Sequence, residues 1–270
     1  MITITNDEFR KIVEYVKSNY GINLIQKRTL IEGRMSNILL EKGFSGFSDY
    51  YEYMLRDKSG NAVTTLINKL STNHTYFMRE KEHFDYFRDK VMPYLTSTLR
   101  NRDLRIWSAG CSSGEEPYTL AMIISDYLGE DKERWDTRIL ATDISSKVLE
   151  SAVKGIYDFD QIDSVPPGWR LNYFKKMDND KCVINDKIKN EVIFRKFNLM
   201  ESSFPFKKRF HVIFCRNVMI YFDSETKRNL INRFYEFTEP GGYLFVGHSE
   251  SLHRGETPYK YVIPAVYRKV

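Results

Sequence analysis

Cysteine, proline and glycine are all scarce in this chain of 270 residues, at three, eight and 14 copies. The cysteines Cys111, Cys182 and Cys215 are too few and too scattered for a disulfide framework or a Cys-x-x-Cys metal site, so reduced thiols are expected. So little glycine and proline excludes a collagen-like or low-complexity chain. No apolar run approaches the roughly 18–20 residues of a membrane helix, and the opening residues lack the basic-then-apolar build of a signal peptide. A cytoplasmic location is the expectation. An excess of one charge is missing too: 41 Lys and Arg against 36 Asp and Glu leave +5, too weak a bias for a nucleic-acid footprint. What is present, 42% hydrophobic and 14% aromatic residues, suffices to bury a core in one large or two small domains.

The first seventy residues read as short amphipathic helices. Thr5 and Glu8 form a candidate capping box ahead of Phe9, Ile12, Val13 and Val16, and Gly21 fits the stop. Leu30, Ile31, Met35, Ile38 and Leu39 suggest a second helix, Phe47, Tyr50, Tyr51, Met54 and Leu55 a third, and Leu66, Ile67 and Leu70 a fourth. From about residue 103 short β-branched or aromatic runs alternate with helical stretches, the pattern of a doubly wound α/β sheet. Candidate strands are 104–108, 138–142, 192–197, 212–215, 243–246 and 259–267, with helices near 116–128, 146–153 and 224–237. The stretch 155–190, with Pro166-Pro167-Gly168 and strand-like pieces near 181–185, breaks the alternation and reads as a small insertion.

The segment Ile106-Trp107-Ser108-Ala109-Gly110-Cys111-Ser112-Ser113-Gly114-Glu115-Glu116-Pro117-Tyr118 runs from a strand through small residues into a helix. Small residues let a ligand approach the backbone, and a loop at the carboxyl end of the first strand is where cofactors bind in open α/β sheets. The spacing is not Gly-x-Gly-x-x-Gly, and no Lys-Ser/Thr follows the glycines, so neither a dinucleotide fingerprint nor a P-loop is present. Glu115 and Glu116 at the helix start would repel a phosphate and suit a cationic ligand such as a sulfonium nucleoside, or would simply complement the helix dipole. Asp143, after the next strand, can accept from ribose hydroxyls or cap the following helix with Ser145 and Ser146. Asn198 and Asn217 each lie just past a strand, where an amide can read an adenine edge or close its own turn.

Five blocks in order carry a resemblance: Thr72–Glu80, Ser108–Tyr118, Ala141–Ile144, Cys215–Phe222 and Gly247–Ser251. Together they resemble the bacterial chemotaxis receptor glutamate O-methyltransferases, the CheR family, over nearly the whole chain. The resemblance implies a small N-terminal all-helical domain (1–72), a linker and helix (73–102) and a Rossmann-like S-adenosylmethionine methyltransferase domain (103–270) with a small antiparallel β insertion. It implies cofactor contacts at Asn73, Thr75, Arg79, Gly110, Glu115, Asp143, Asn198, Leu199, Asn217 and Val218, and orientation of the acceptor by Arg79 and Tyr221. No metal is implied. Cys111, Ser112 and Ser113 stand where other methyltransferases often have further glycines, and the family does not fix His74. The implied partners are methyl-accepting chemotaxis receptors, docked through a basic stripe that includes Lys27, Arg28 and Arg34, or else that stripe is a solvated helix face. Residues 172–181 contain no glycine, unlike members that hold a receptor tail peptide, so tail independence is expected. A non-catalytic scaffold and a nucleic-acid methyltransferase remain as alternatives; Arg216-Asn217-Val218-Met219 lacks the Asn/Asp-Pro-Pro-aromatic motif of the latter.

Overall fold

The computed structural model describes residues 2–70, 75–178, 180–252, 255 and 257–270. Four helices come first: α1 (Asn6–Tyr20), α2 (Arg28–Glu41), α3 (Phe47–Arg56) and α4 (Asn61–Leu70). The Thr5–Glu8 capping box starts α1, and Gly21 ends it in the left-handed conformation at φ 71°. A further helical stretch runs from α5 (Lys81–Tyr86) through a π turn, Phe87–Val91, into α6 (Met92–Thr98). Strand β1 (Ile106–Ala109) leads into α7 (Glu115–Leu128), and β2 (Ile139–Asp143) into α8 (Ser146–Lys154). Then come β3 (Ile156–Asp158), α9 (Pro167–Tyr173), β4 (Phe174–Lys176), β5 (Lys181–Ile184), α10 (Asp186–Lys189), β6 (Val192–Lys196) and β7 (Phe210–Cys215). The chain finishes with α11 (Ser224–Glu236), β8 (Thr238–Val246), β9 (Lys260–Ile263) and β10 (Val266–Arg268).

The main sheet has the order β6-β2-β1-β7-β8-β10-β9. Its first five strands are mutually parallel, and β10 pairs antiparallel with both β8 and β9. The order reverses between β1 and β7, which opens a crevice at their carboxyl ends, as in Rossmann-like sheets. β3, β5 and β4 make a separate antiparallel sheet. One difference from the sequence expectation is local: the run 259–267 is a hairpin rather than one strand, turning at Pro264-Ala265 with Ala265 at φ 60°. Proline cannot supply a ladder hydrogen bond, so it sits at the turn.

Two apolar clusters flank the sheet. One joins the N-terminal helices, through Ile12, Val16, Ile31 and Leu39, to α11 and to the sheet face bearing Trp107, Ile213 and Leu244. The other gathers Phe84, Phe87 and Val91 with α7 and the face bearing Ile106, Phe214 and Phe245, and extends to the small sheet through Tyr157 and Cys182. The first four helices therefore share a core with the sheet. Among the described residues no helix is long and apolar enough to cross a membrane.

Candidate functional site

The loop after β1 is shaped by close packing. Gly110 and Gly114 lie at φ 91° and 98°, where a side chain is strained. A Cβ on Gly110 would sit 2.3 Å from Val218 Cγ2, and one on Gly114 would sit 3.0 Å from Ala152 Cβ. The main-chain N–H groups of Gly110 and Cys111 donate to Thr142 O at 2.8 and 2.9 Å, tying the loop to the end of β2. From the small sheet, the Tyr157 hydroxyl donates to Ser113 O at 2.8 Å. Asp143 closes the other side: its carboxylate accepts the N–H groups of Ser112 and Ser145, each at 2.9 Å. Burial pushes its pKa up, partly offset by those same N–H groups.

These loops enclose one cleft over the carboxyl ends of β1, β2 and β7. Thr75, Arg79, Gly110, Asp143, Asn198, Leu199, Asn217, Val218 and Tyr221 all line it, together with Tyr20, Ile22, Thr64 and Ile67 from the N-terminal helices. Asn73 lies outside the described residues. Glu115 does not line the cleft. It is 1% exposed, and its carboxylate accepts from the hydroxyls of Ser113, at 2.8 and 2.9 Å, and Thr75, at 3.2 Å. The adjacent Glu116 lines the cleft instead, because neighbouring helix residues point about 100° apart. Asn198 is at the cleft wall with both ends of its amide engaged: Nδ2 donates to Asn19 O at 2.7 Å, and Oδ1 accepts from Met200 N at 3.0 Å.

Sequence reasoning placed Glu116 beside a cationic ligand or the helix dipole but assigned no role to Glu80 or Arg216 under this cleft. Arg216 donates to Glu80 Oε2 at 3.1 Å, to Glu116 Oε2 at 3.2 Å and to the carbonyl of Arg79, and its guanidinium lies 5.0 Å from the Phe84 ring centroid. Burial works to raise the pKa of Glu80, but contacts from His83, Arg216 and Asn217 outweigh it and hold the carboxyl well below its usual range. Glu116 is shifted the other way, because burial outweighs the attraction of Arg216 and the hydrogen bond from Ser108. The only signal in the sequence was that Glu80 and Arg216 stand inside the motif blocks Thr72–Glu80 and Cys215–Phe222. Among the described residues, Glu80, His83 and His248 form the one grouping of metal-ligand type, yet the same Glu80 carboxylate is already neutralised by Arg216. His83 is 1% exposed, with Nδ1 3.3 Å from Glu80 Oε2 but poorly aligned for a hydrogen bond, and burial lowers its pKa.

The N-terminal helices reach the site through the turn after α1. Ile22 bridges Phe222, Asn23 N–H donates to Tyr221 O at 2.8 Å, and Lys17 pairs with Asp223 at 2.9 Å. Of the basic stripe, Lys27 is exposed at the start of α2. Arg28 donates to Ile4 O at 2.6 Å and to Asn6, and Arg34 donates to Lys69 O at 2.8 Å.

Comparison with known proteins agrees with this architecture. A family model described as "CheR methyltransferase, all-alpha domain" matches residues 7–71, and another, "CheR methyltransferase, SAM binding domain", matches residues 73–267. The chain is 44% identical to a chemotaxis protein methyltransferase of Borreliella burgdorferi, covering 99% of this chain and 96% of that one. It is 35% identical to a probable chemotaxis protein methyltransferase of Rhizobium etli, over 94% and 99% of the two chains. Identity to the chemotaxis protein methyltransferase of Escherichia coli is 33%, over 96% and 91%. With both family domains matched in order and relatives similar over nearly their full length, the chain belongs to the CheR family of S-adenosylmethionine-dependent methyltransferases.

Proposed function

We propose that this protein transfers a methyl group from S-adenosylmethionine to glutamate side-chain carboxylates of methyl-accepting chemotaxis receptors, producing glutamate methyl esters and S-adenosylhomocysteine. The observation that carries the reading is the single cleft in which Thr75, Arg79, Gly110, Asp143, Leu199, Asn217, Val218 and Tyr221 meet. The cleft suits a nucleoside. Gly110 has no room for a Cβ, so main chain forms that wall, and Asp143 is held by main-chain N–H groups at the strand end where a ribose is gripped in this fold. Asn217 and Val218 form the facing wall. Glu115 acts through Thr75, whose hydroxyl it orients, rather than by contact.

When bound, S-adenosylmethionine supplies an electrophilic methyl group on a sulfonium sulfur. A glutamate carboxylate, with a pKa of about 4.3, is ionised at neutral pH and needs no general base. The remaining task is orientation. The Arg79 guanidinium offers a two-point fork to the acceptor carboxylate and the Tyr221 phenol a single hydrogen bond. Holding reacting atoms near attack distance is worth about 7–11 kcal/mol of barrier. No metal enters this scheme, so activity should survive saturating chelator. The receptor, an acidic helical bundle, docks on the α2 side through Lys27, Arg28 and Arg34, and no tail peptide is required. Charge reversal at Lys27 should raise the receptor KM without changing cofactor affinity; at Arg28 and Arg34 it should also loosen α2.

The deciding experiment is transfer of labelled methyl from S-adenosylmethionine to receptor-containing membranes, followed by mild base. Release of label as methanol establishes a carboxyl methyl ester. Base-stable label on nucleic acid would favour a nucleic-acid methyltransferase. Cofactor binding without transfer to any of a panel of receptors would point to a scaffold.

A further inference from the structure

The Gly247–Ser251 block plays no part in the chemistry above, yet it contains a buried carboxylate that touches the cleft wall. Glu250 is 3% exposed and ends a short turn after β8. Its Oε2 accepts the main-chain N–H groups of Asn217 at 2.7 Å and Gly247 at 2.8 Å, and its Oε1 accepts that of Ile220 at 2.9 Å. Two of these donors belong to the segment that presents Asn217, Val218 and Tyr221 to the cleft. Asn217 is held at φ 60°, an uncommon conformation for a residue with a side chain, and its amide Nδ2 donates to Glu80 at 3.2 Å. Gly247 supplies a second sign of the same fit. A Cβ there would lie 2.9 Å from Asn217 N and 3.1 Å from Asn217 Cγ, so only glycine lets the turn approach so closely.

We infer that Glu250 is a positioning residue for methyl transfer, its carboxylate clamping the main chain of 217–220 so that Asn217 and Val218 face the cofactor and Tyr221 faces the acceptor. The inference rests on the cofactor role proposed above for Asn217 and Val218. Glu250→Gln keeps the size but places an N–H₂ group against N–H donors, and Gly247→Ala wedges a methyl group between the two halves of the clamp, 2.9 Å from both Glu250 Oε2 and Asn217 N.

Two measurements on the full chain separate this clamp from general stabilisation: the Kd for S-adenosylhomocysteine and hydrogen exchange of individual amides. Both variants should raise Kd about tenfold or more and speed exchange at Asn217 and Ile220, with exchange in β1 and β7 unchanged. Unchanged Kd and unchanged exchange at those amides in the folded variants overturn the inference, as does a uniform rise in exchange across the sheet with Kd unaltered. Should Glu250→Gln not fold, Gly247→Ala decides alone. Exchange needs no acceptor, so failure of receptor methylation would count against the proposed function and leave this test standing.

Discussion

At the scale of single residues the cleft depends on what is left out of it. Gly110 combines a left-handed backbone with a position where a methyl group would overlap Val218. Gly110→Ala should therefore weaken S-adenosylhomocysteine binding at least tenfold, about 1.4 kcal/mol or more, while the melting temperature falls by only a few degrees; calorimetry reads both. Arg79→Lys keeps the charge but loses the fork, so acceptor turnover should fall further than cofactor affinity. Arg216 is a different case, since its buried guanidinium neutralises two half-buried carboxylates. Replacing it by Met should destabilise the fold by about 2–3 kcal/mol, visible as a lowered urea midpoint, because Glu80 and Glu116, both half-buried, would be left without a counter-charge.

The decisive element is the turn between α1 and α2. A Cβ on Gly21 would lie 2.5 Å from Met200 Sδ and 2.9 Å from Thr226 Cγ2, and the residue's φ of 71° is strained for any side chain. Met200 and Thr226 belong to the α/β part of the chain, so Gly21→Ala pushes the helical part away from it. Because Asn23 holds the Tyr221 carbonyl, the same push should raise the acceptor KM more than the cofactor Kd, with a loss of about 1–3 kcal/mol in stability. Steady-state kinetics on both substrates would show whether the split has this sense. The π turn at Phe87–Val91 has a packing reason. Phe87 and Val91 are fully buried, and the wider turn keeps the apolar faces on both sides of it turned toward the sheet.

For the whole molecule, the continuous apolar cluster that joins the first four helices to α11 and the sheet implies cooperative unfolding. A single thermal transition is expected, and residues 2–70 alone should be far less stable than in the full chain. Acid should act through buried histidine. His211 Nδ1 accepts the Arg105 N–H at 3.0 Å, which requires an unprotonated nitrogen, and burial together with the nearby Arg105 charge lowers its pKa to about 4. A histidine whose pKa is lowered on folding contributes stability that is present above its unfolded pKa, near 6.5, and is lost as pH falls toward the folded value. Stability should thus drop by about 1.4 kcal/mol per pH unit through that window, and His211→Asn, which keeps an acceptor, should flatten the slope. Denaturant titrations at pH 7, 6 and 5 would measure it.

Periodicity and turn chemistry are local properties, and they were enough to place the helices of the first seventy residues, the parallel strands, the loop after β1 and Asp143 at the end of β2. The motif blocks added the family and most of the residues that meet in the cleft. Other features depend on which distant groups come to face one another, and the sequence does not encode that locally. Glu115 and Glu116 are equivalent as letters, but the rotation of α7 buries one beneath Thr75 and turns the other toward the cleft and Arg216. The amide of Asn198 is taken up by Asn19, 179 positions away. Glu250 gains its meaning from main-chain donors 30 and 33 positions earlier. Sequence alone thus determined the elements and the chemistry available to them, while tertiary packing decided which charges are buried, which are paired and which face the cleft, because those outcomes depend on burial and on contacts that close only when the chain has folded.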